Sequence, residues 1–286
     1  MEQAGTADQA IPPEVVVSGR LVFVGGLHRS GTTPLTRTLG THPDVSGLTD
    51  TGATEDEGQH LQSVYPAALA YGGPGRFAHD PRAHLTESSP LVSQESADRL
   101  LAAWSPYWDL SRPLLVEKSP PNLLMTRFLQ ALFPDAAFVM SLRHPVVVAL
   151  STVKWRRWLS RRPQNHVSVE GLVGHALAAY DLMLADAPSV RRLHLLRYED
   201  LVAEPLAQLA ALQEFLRLAT PIDAGGIGGS HSQGYLEDWE AMRTSRWRRG
   251  EYHRICERYA DPLHRLGYDP VDLTARGTLS LDQGGA

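Results

Sequence analysis

The sequence predicts an α/β fold, a central parallel sheet flanked by helices. Two observations predict it. Short apolar runs recur along the chain without polar alternation, as strands buried on both faces require. Each run is followed by a segment with helical spacing, the order that builds parallel sheets. No internal repeat and no linker divides the chain of 286 residues, so one domain with a large core is expected.

The elements read in order. Leu21-Val22-Phe23-Val24, ending in Gly25-Gly26, is the first strand. Residues 32–39 follow as a helix, stopped near Gly40 and His42-Pro43. Residues 44–60 read as a polar, acidic loop and residues 61–70 as a helix, broken at Tyr71-Gly72-Gly73-Pro74-Gly75. Leu114-Leu115-Val116 is a second strand. Ser119 stands as an N-cap with Pro120 at the first helical position, for a helix reaching about residue 132. Residues 136–142 form a third strand, and 145–159 and 171–185 form helices. Leu193-His194-Leu195-Leu196 is a fourth strand, with a helix over 205–216. Residues 220–234 are a Gly-rich loop, and 248–266 a last helix ended by Gly267. The expected organisation is a loose tail over 1–19, a single domain over 20–270 and a C-terminal tail over 271–286.

Composition narrows the function classes. Net charge is −5, which argues against bulk attraction to nucleic acid or an anionic membrane. One cysteine, Cys256, excludes an internal disulfide framework and a multi-Cys zinc site. No apolar run approaches the roughly 20 residues that span a bilayer. The start, Met1-Glu2-Gln3-Ala4, lacks the basic and apolar regions of a secretory signal. A cytoplasmic protein is the expectation. Of 27 Lys and Arg residues only Lys118 and Lys154 are lysines, a skew that GC-rich coding explains.

Gly26-Leu27-His28-Arg29-Ser30-Gly31-Thr32-Thr33 lies between the first strand and the first helix. This is P-loop context, in which backbone N–H groups and a helix N-terminus hold an anion. The nucleotide-hydrolysing motif needs Lys after the second Gly. Gly26 and Gly31 keep its spacing, but Thr32 stands at the Lys position, and the loop's cation is Arg29. The phosphate cradle is present without the lysine that reaches a triphosphate.

With these residues the chain resembles the sulfotransferases that use 3′-phosphoadenosine 5′-phosphosulfate (PAPS). Arg29-Ser30-Gly31-Thr32-Thr33 is similar to their 5′-phosphosulfate loop. Arg143 at a strand end, with Ser151 eight residues on, resembles their 3′-phosphate motif. A guanidinium can grip a phosphate through two N–H groups, and a hydroxyl two helical turns on reaches the same group. Glu117-Lys118-Ser119-Pro120, Tyr198-Glu199-Asp200-Leu201, His42-Pro43-Asp44-Val45, Thr244-Ser245-Arg246-Trp247 and Leu266-Gly267-Tyr268-Asp269-Pro270 resemble segments of carbohydrate or protein-tyrosine sulfotransferases. Residues 50–110 resemble them least.

The resemblance implies a P-loop-NTPase-like sheet and in-line sulfuryl transfer from PAPS to an acceptor hydroxyl, releasing adenosine 3′,5′-bisphosphate. It implies no metal, and no histidine here falls in H-E-x-x-H. Donor contacts fall on Arg29, Ser30, Gly31, Thr32, Thr33, Arg143, Ser151, Tyr198 and Arg246. Arg29 would stabilise the leaving oxygen, Lys118 would neutralise charge at the sulfuryl group, and Ser245 would hydrogen-bond it. An alcohol acceptor needs a general base. The tyrosine-specific enzymes carry a glutamate shortly after H-P-D-V; direct counting reaches Asp50, and this chain has Glu55-Asp56-Glu57 and His60 a little later. Glu57 is favoured, with Asp50, Glu55 and His60 in reserve. Lys154-Trp155-Arg156-Arg157-Trp158 reads as a helix face near the 3′-phosphate. The acceptor, whether small molecule, sugar or peptide, stays open. An ATP-dependent small-molecule kinase and a non-catalytic nucleotide-binding module are the rival readings.

Overall fold

The computed structural model describes residues 18–159, 168–228 and 232–279, with backbone alone for 18 and 156–159. Nearly all of the expected N-terminal tail lies outside the described residues, as do Arg161 and Arg162. Among the described residues, five strands form one parallel sheet in the order β2-β3-β1-β4-β5: β1 Leu21–Gly26, β2 Val45–Gly47, β3 Leu114–Lys118, β4 Ala137–Leu142 and β5 Leu193–Arg197. The helices are α1 Thr32–Gly40, α2 Gln94–Trp104, α3 Thr126–Leu132, α4 Pro145–Leu159, α5 Val169–Asp186, α6 Tyr198–Ala203, α7 Pro205–Leu216, α8 Gln233–Thr244, α9 Arg249–Arg258 and α10 Ala260–Arg265.

Every residue of β1 is buried, because the period-2 alternation sends side chains into two separate cores. Leu21 and Phe23 enter the larger one, where Phe23 stacks on Phe138 with centroids 5.6 Å apart and meets Trp104 edge-on. Val22 and Val24 enter the smaller one with Leu35 and Leu39 of α1 and Leu209 and Leu212 of α7. The connection after β1 runs to β2, whereas the one after β4 runs to β5 on the opposite side. A crevice opens where such connections part, at the carboxyl ends of adjacent strands. The loops carrying Arg29 and Arg143 flank that point.

Several expectations need correction. Val45–Gly47 is an edge strand where a loop was expected; three residues, one of them Ser and one Gly, carry too little pattern to announce it. The helix expected over 61–70 is replaced by separate 3₁₀ turns at Gly58–His60 and Ala68–Tyr71. Pro66 lacks the donor a helix interior needs, and side chains take the backbone bonds instead. Gln62 Oε1 accepts from Val64 N (2.6 Å) and Tyr65 N (3.0 Å), and Gln59 Oε1 from Ala68 N (2.9 Å). Ser119 makes no cap: a 3₁₀ turn, Pro120–Leu124, precedes α3. The C-terminal helix breaks at Tyr259 into α9 and α10. Beyond residue 270, Leu273 is buried in the larger core and Gly277 N donates to Gly267 O at 2.8 Å.

Candidate active site

Gly31 caps α1 at φ 95°, and Arg29, one residue before Ser30, is also left-handed at φ 74°. A non-glycine residue held there costs of order 1–3 kcal/mol and marks a loop fixed by its surroundings. Gly31 tolerates nothing larger, since a Cβ would enter the Tyr198 ring. The loop leans on β4 and α4. Ser141 Oγ donates to Ser30 O (2.8 Å), Arg143 Nη1 to Arg29 O (2.8 Å), and Arg29 Nε to Ser151 Oγ (3.0 Å). The two sequence motifs, 114 residues apart at Arg29 and Arg143, are therefore bonded to one another.

Arg143 is fixed from three sides. Its guanidinium carbon lies 4.3 Å from the Tyr198 ring centroid, and Nη2 donates to Ser232 Oγ at 2.9 Å. Its backbone N donates to Tyr180 Oη, whose hydroxyl donates back to Arg143 O. Next to it, burial holds the His144 ring near a pKa of about 4, hence neutral. Nδ1 accepts from Val146 N, so Nε2 carries the proton and donates to Asp269 O at 3.1 Å. This ties the Tyr268-Asp269-Pro270 segment to the Arg143 turn. A cavity of about 420 Å³ opens against Arg29, Gly31, Thr32, Thr33, Pro34, Arg143, Lys154, Tyr198, Gly234 and Tyr235. Three of these ten residues are cations and none is a carboxylate. Arg143 Nε and Ser30 Oγ are buried without a hydrogen-bond partner among the described residues. An anionic ligand in the cavity that Arg143 lines would supply what its Nε lacks.

Across the loop lies a second constellation. Lys118 ends β3, and its Nζ donates to Glu57 Oε1 at 3.1 Å, with both side chains buried. Gln59 Nε2 donates to Glu57 Oε2 at 2.5 Å, and His60 Nε2 stands 3.6 Å from the same oxygen. Behind Lys118, Glu117 is fully buried, and burial pushes its carboxyl up to about 7 against the pull of Ser119, Asn122 and Lys118. His28 is held near 3, chiefly by burial and then by the Lys118 charge, and its Nδ1 finds no partner among the described residues. A larger cavity of about 710 Å³ begins at Thr33 and Lys118 and runs past Glu55, Asp56 and Arg37 to Asp109 and Arg112. Thr33 lines both cavities.

The structure thus brings together Arg29, Ser30, Gly31, Thr32, Thr33, Arg143, Ser151 and Tyr198 on one side, and Lys118 with Glu57 on the other. Glu57 itself lines neither cavity and reaches the larger one through its partner Lys118, and Ser245 and Arg246 line neither cavity. Ser245 Oγ accepts from Trp247 N and Arg248 N, and exposed Arg246 lies over the Trp247 ring. Among the reserve bases, Asp50 is exposed and Glu55 Oε2 accepts from Thr33 Oγ1 at 3.1 Å. Asp50, Glu55 and Asp56 all have φ of 50–56°, a concentration of left-handed non-glycine residues beside the larger cavity. Sequence reasoning missed Tyr235, whose hydroxyl bonds Ser151 Oγ at 2.9 Å and whose ring lies beneath Lys154 at 5.8 Å. It follows the Gly-rich stretch, and no motif marks it.

A model described as the sulfotransferase family matches residues 22–221. An omega-hydroxy-beta-dihydromenaquinone-9 sulfotransferase of Mycobacterium bovis is 26% identical over 172 residues, 55% of this chain and 42% of that protein. Carbohydrate sulfotransferase 6 of Homo sapiens is 32% identical over 130 residues, 40% of this chain and 33% of that protein. Nodulation protein NoeE of Sinorhizobium fredii is 28% identical over 208 residues, 65% and 47% respectively. The chain spans less than half the length of these curated relatives. Among solved structures, a sulfotransferase from Alicyclobacillus acidocaldarius aligns over 82% of this chain and 92% of that one, at 16% identity and a TM-score of 0.47. Among the described residues no helix is long and apolar enough to cross a membrane, and no group of three or more His, Cys, Asp or Glu side chains is placed to hold a metal ion.

Proposed function

The chain belongs to the sulfotransferase family, and from that premise we propose that it takes PAPS as donor and sulfates an acceptor hydroxyl, with Glu57 as general base. One observation carries the donor assignment. The smaller cavity has three cations, no carboxylate, two tyrosine rings, and a lining Arg143 whose buried Nε has no partner among the described residues. Its chemistry matches a ligand with a planar ring and several anionic groups, which PAPS is.

Arg29, the backbone of Ser30, Gly31, Thr32 and Thr33, and the N-terminus of α1 would hold the 5′-phosphosulfate. Arg143 and Ser151 would hold the 3′-phosphate, with Tyr198 beneath the guanidinium. Lys154 and Tyr235 join this set on the strength of the cavity lining. The donor supplies an activated sulfuryl group and leaves as adenosine 3′,5′-bisphosphate. Arg29 and Lys118 offset charge around the transferred group with fixed cations, the kind of stabilisation that needs no rearrangement during the reaction. Glu57 takes the hydroxyl proton, and Gln59 and Lys118 keep its carboxylate aimed. The acceptor enters through the larger cavity, which meets the donor side at Thr33. Small-molecule, sugar and peptide hydroxyls all remain candidates. Ser245 and Arg246 have no part in this assignment.

Calorimetric titration with adenosine 3′,5′-bisphosphate tests the donor site. Losing hydrogen bonds to a charged group costs about 1.5–3 kcal/mol, so Arg143→Ala should weaken binding by about 10- to 100-fold. Equal affinity in the variant, or binding of ATP in preference to the bisphosphate, would overturn the assignment.

A further inference from the structure

Glu57 is not held by Lys118 alone. It opens the short turn Glu57-Gly58-Gln59-His60, and this turn is fastened to the end of β3 by a chain of buried groups. Gln59 N donates to Ser119 Oγ at 2.9 Å. Ser119 Oγ in turn donates to Glu117 Oε1 at 2.5 Å. Glu117 Oε2 accepts from Asn122 Nδ2 at 2.5 Å, and the same nitrogen reaches Val24 O at 3.1 Å, so the carboxylate is anchored to β1. Gly58 lies flat against this carboxylate: a Cβ there would stand 2.5 Å from Glu117 Oε1 and 2.8 Å from Trp104 Nε1. Trp104 Nε1 donates to Gly58 O at 3.1 Å. Ser119, Glu117 and Asn122 have no measurable exposure.

The direction of each bond matters. A serine hydroxyl has one hydrogen and two lone pairs. Above pH 7, where Glu117 is ionised, its carboxylate claims the hydrogen, so a lone pair of Ser119 is turned toward Gln59 N. The side chain of that same Gln59 holds Glu57 Oε2, while Lys118, the residue before Ser119, holds Oε1. Both oxygens of Glu57 are therefore located by residues 118 and 119, one directly and one through Gln59. We propose that Ser119 is a positioning residue for sulfuryl transfer: its hydroxyl, oriented by Glu117, sets the Glu57 turn in register with Lys118. The inference rests on the reading of Glu57 as the base, and it accounts for a buried carboxylate that the reaction itself does not use.

The composition supplies the probe. With only two lysines in the chain, protein labelled with ¹³C,¹⁵N-lysine gives two side-chain Cε–Nζ correlations, one from Lys118 and one from Lys154 as internal reference. Glu57→Gln fixes where the Lys118 signal lies without its carboxylate. Ser119→Ala, which changes no charge, should move the Lys118 signal toward that position, with Lys154 unmoved and affinity for adenosine 3′,5′-bisphosphate within about twofold of wild type. Ser119→Thr, which restores the hydroxyl, should return the signal. If Ser119→Ala does not fold, Ser119→Cys gives the same readout with nearly the same volume and a poor acceptor. A Lys118 signal that stays at its wild-type position in the Ala or Cys variant overturns the proposal. Should Glu57→Gln move the signal yet leave sulfuryl transfer intact, the base assignment falls while the role of Ser119 in setting the pair stands.

Discussion

Lys118 Nζ lies 3.1 Å from Glu57 Oε1, and both side chains are at least nine-tenths buried. The residue that would accept a proton and the residue that would offset sulfuryl charge are thus partners before any substrate arrives. Removing one member of a buried pair strands the other charge, typically at about 3–5 kcal/mol. Lys118→Ala should therefore lower stability by about that much in urea titration, and reduce release of adenosine 3′,5′-bisphosphate from PAPS in the presence of mixed hydroxyl acceptors by about 100-fold or more. Lys118→Arg is the sharper variant. A planar fork does not replace a compact ammonium in a closed space, so turnover should stay low although charge is kept. Full activity of Lys118→Arg would return the retained lysine to coding bias.

Arg143 rests on Tyr198 at 4.3 Å. A desolvated cation–π contact is worth up to about 2 kcal/mol. Tyr198→Phe, which keeps the ring, should bind adenosine 3′,5′-bisphosphate about as well as wild type, and Tyr198→Ala about tenfold less well. Equal losses in the two variants would show that the hydroxyl matters rather than the face of the ring.

Gly31 has both a left-handed φ of 95° and the Tyr198 ring where a Cβ would stand. Gly31→Ala should lower stability by about 1 kcal/mol or more and abolish detectable bisphosphate binding. Gly47 serves as the control, because a Cβ there would meet no atom within 4 Å. Gly47→Ala should leave binding unchanged.

The parallel sheet, the glycine turn after β1 and the Arg just past β4 were legible because they are local and repetitive. A run of apolar residues, a glycine turn and an Arg at a strand end all announce themselves within a short stretch of chain. Residues 45–83 were not legible. Beyond β2 their backbone bonds close short separate turns, such as His60 N to Glu57 O and Phe77 N to Gly73 O, and three amides donate to the side chains of Gln59 and Gln62, so no period survives to be read. The Glu57 turn shows the same limit. Counting along the chain reaches Asp50, and Glu57 is favoured there only as the carboxylate ahead of a helix that does not form; the ties that hold it against Lys118 run through Ser119 and Glu117, with Ser119 60 residues from Gln59. Ser119 was legible as a helix cap and serves instead as a tie between two segments. Ser245, chosen by resemblance alone, makes only local bonds here.

Glu117 also predicts a pH effect on stability. Its carboxyl is raised by burial from 4.5 to about 7, so the native state holds a proton that the unfolded chain gives up. Its contribution is fully present below pH 4.5 and is lost as pH rises through 7. His28 and His144 act in the opposite sense. Burial holds them near 3 and 4, and their contribution is lost as pH falls below their ordinary value of 6.5. Comparing Glu117→Gln with wild type isolates the first effect. Between pH 4.5 and 7, wild type should lose stability relative to the variant as pH rises, in urea melts at closely spaced pH values. A difference that does not change with pH would mean that Glu117 is ionised throughout.

Which group moves decides between sulfuryl and phosphoryl transfer. Purified protein given ³⁵S-labelled PAPS and γ-³²P-labelled ATP together, with a panel of phenolic, glycosidic and tyrosyl-peptide hydroxyls, reports it. The expected outcome is ³⁵S in an acceptor, an equal amount of adenosine 3′,5′-bisphosphate, no ³²P transfer, and loss of the ³⁵S product in Glu57→Gln. Transfer of ³²P with PAPS left intact would make the chain a kinase and refute PAPS as its donor.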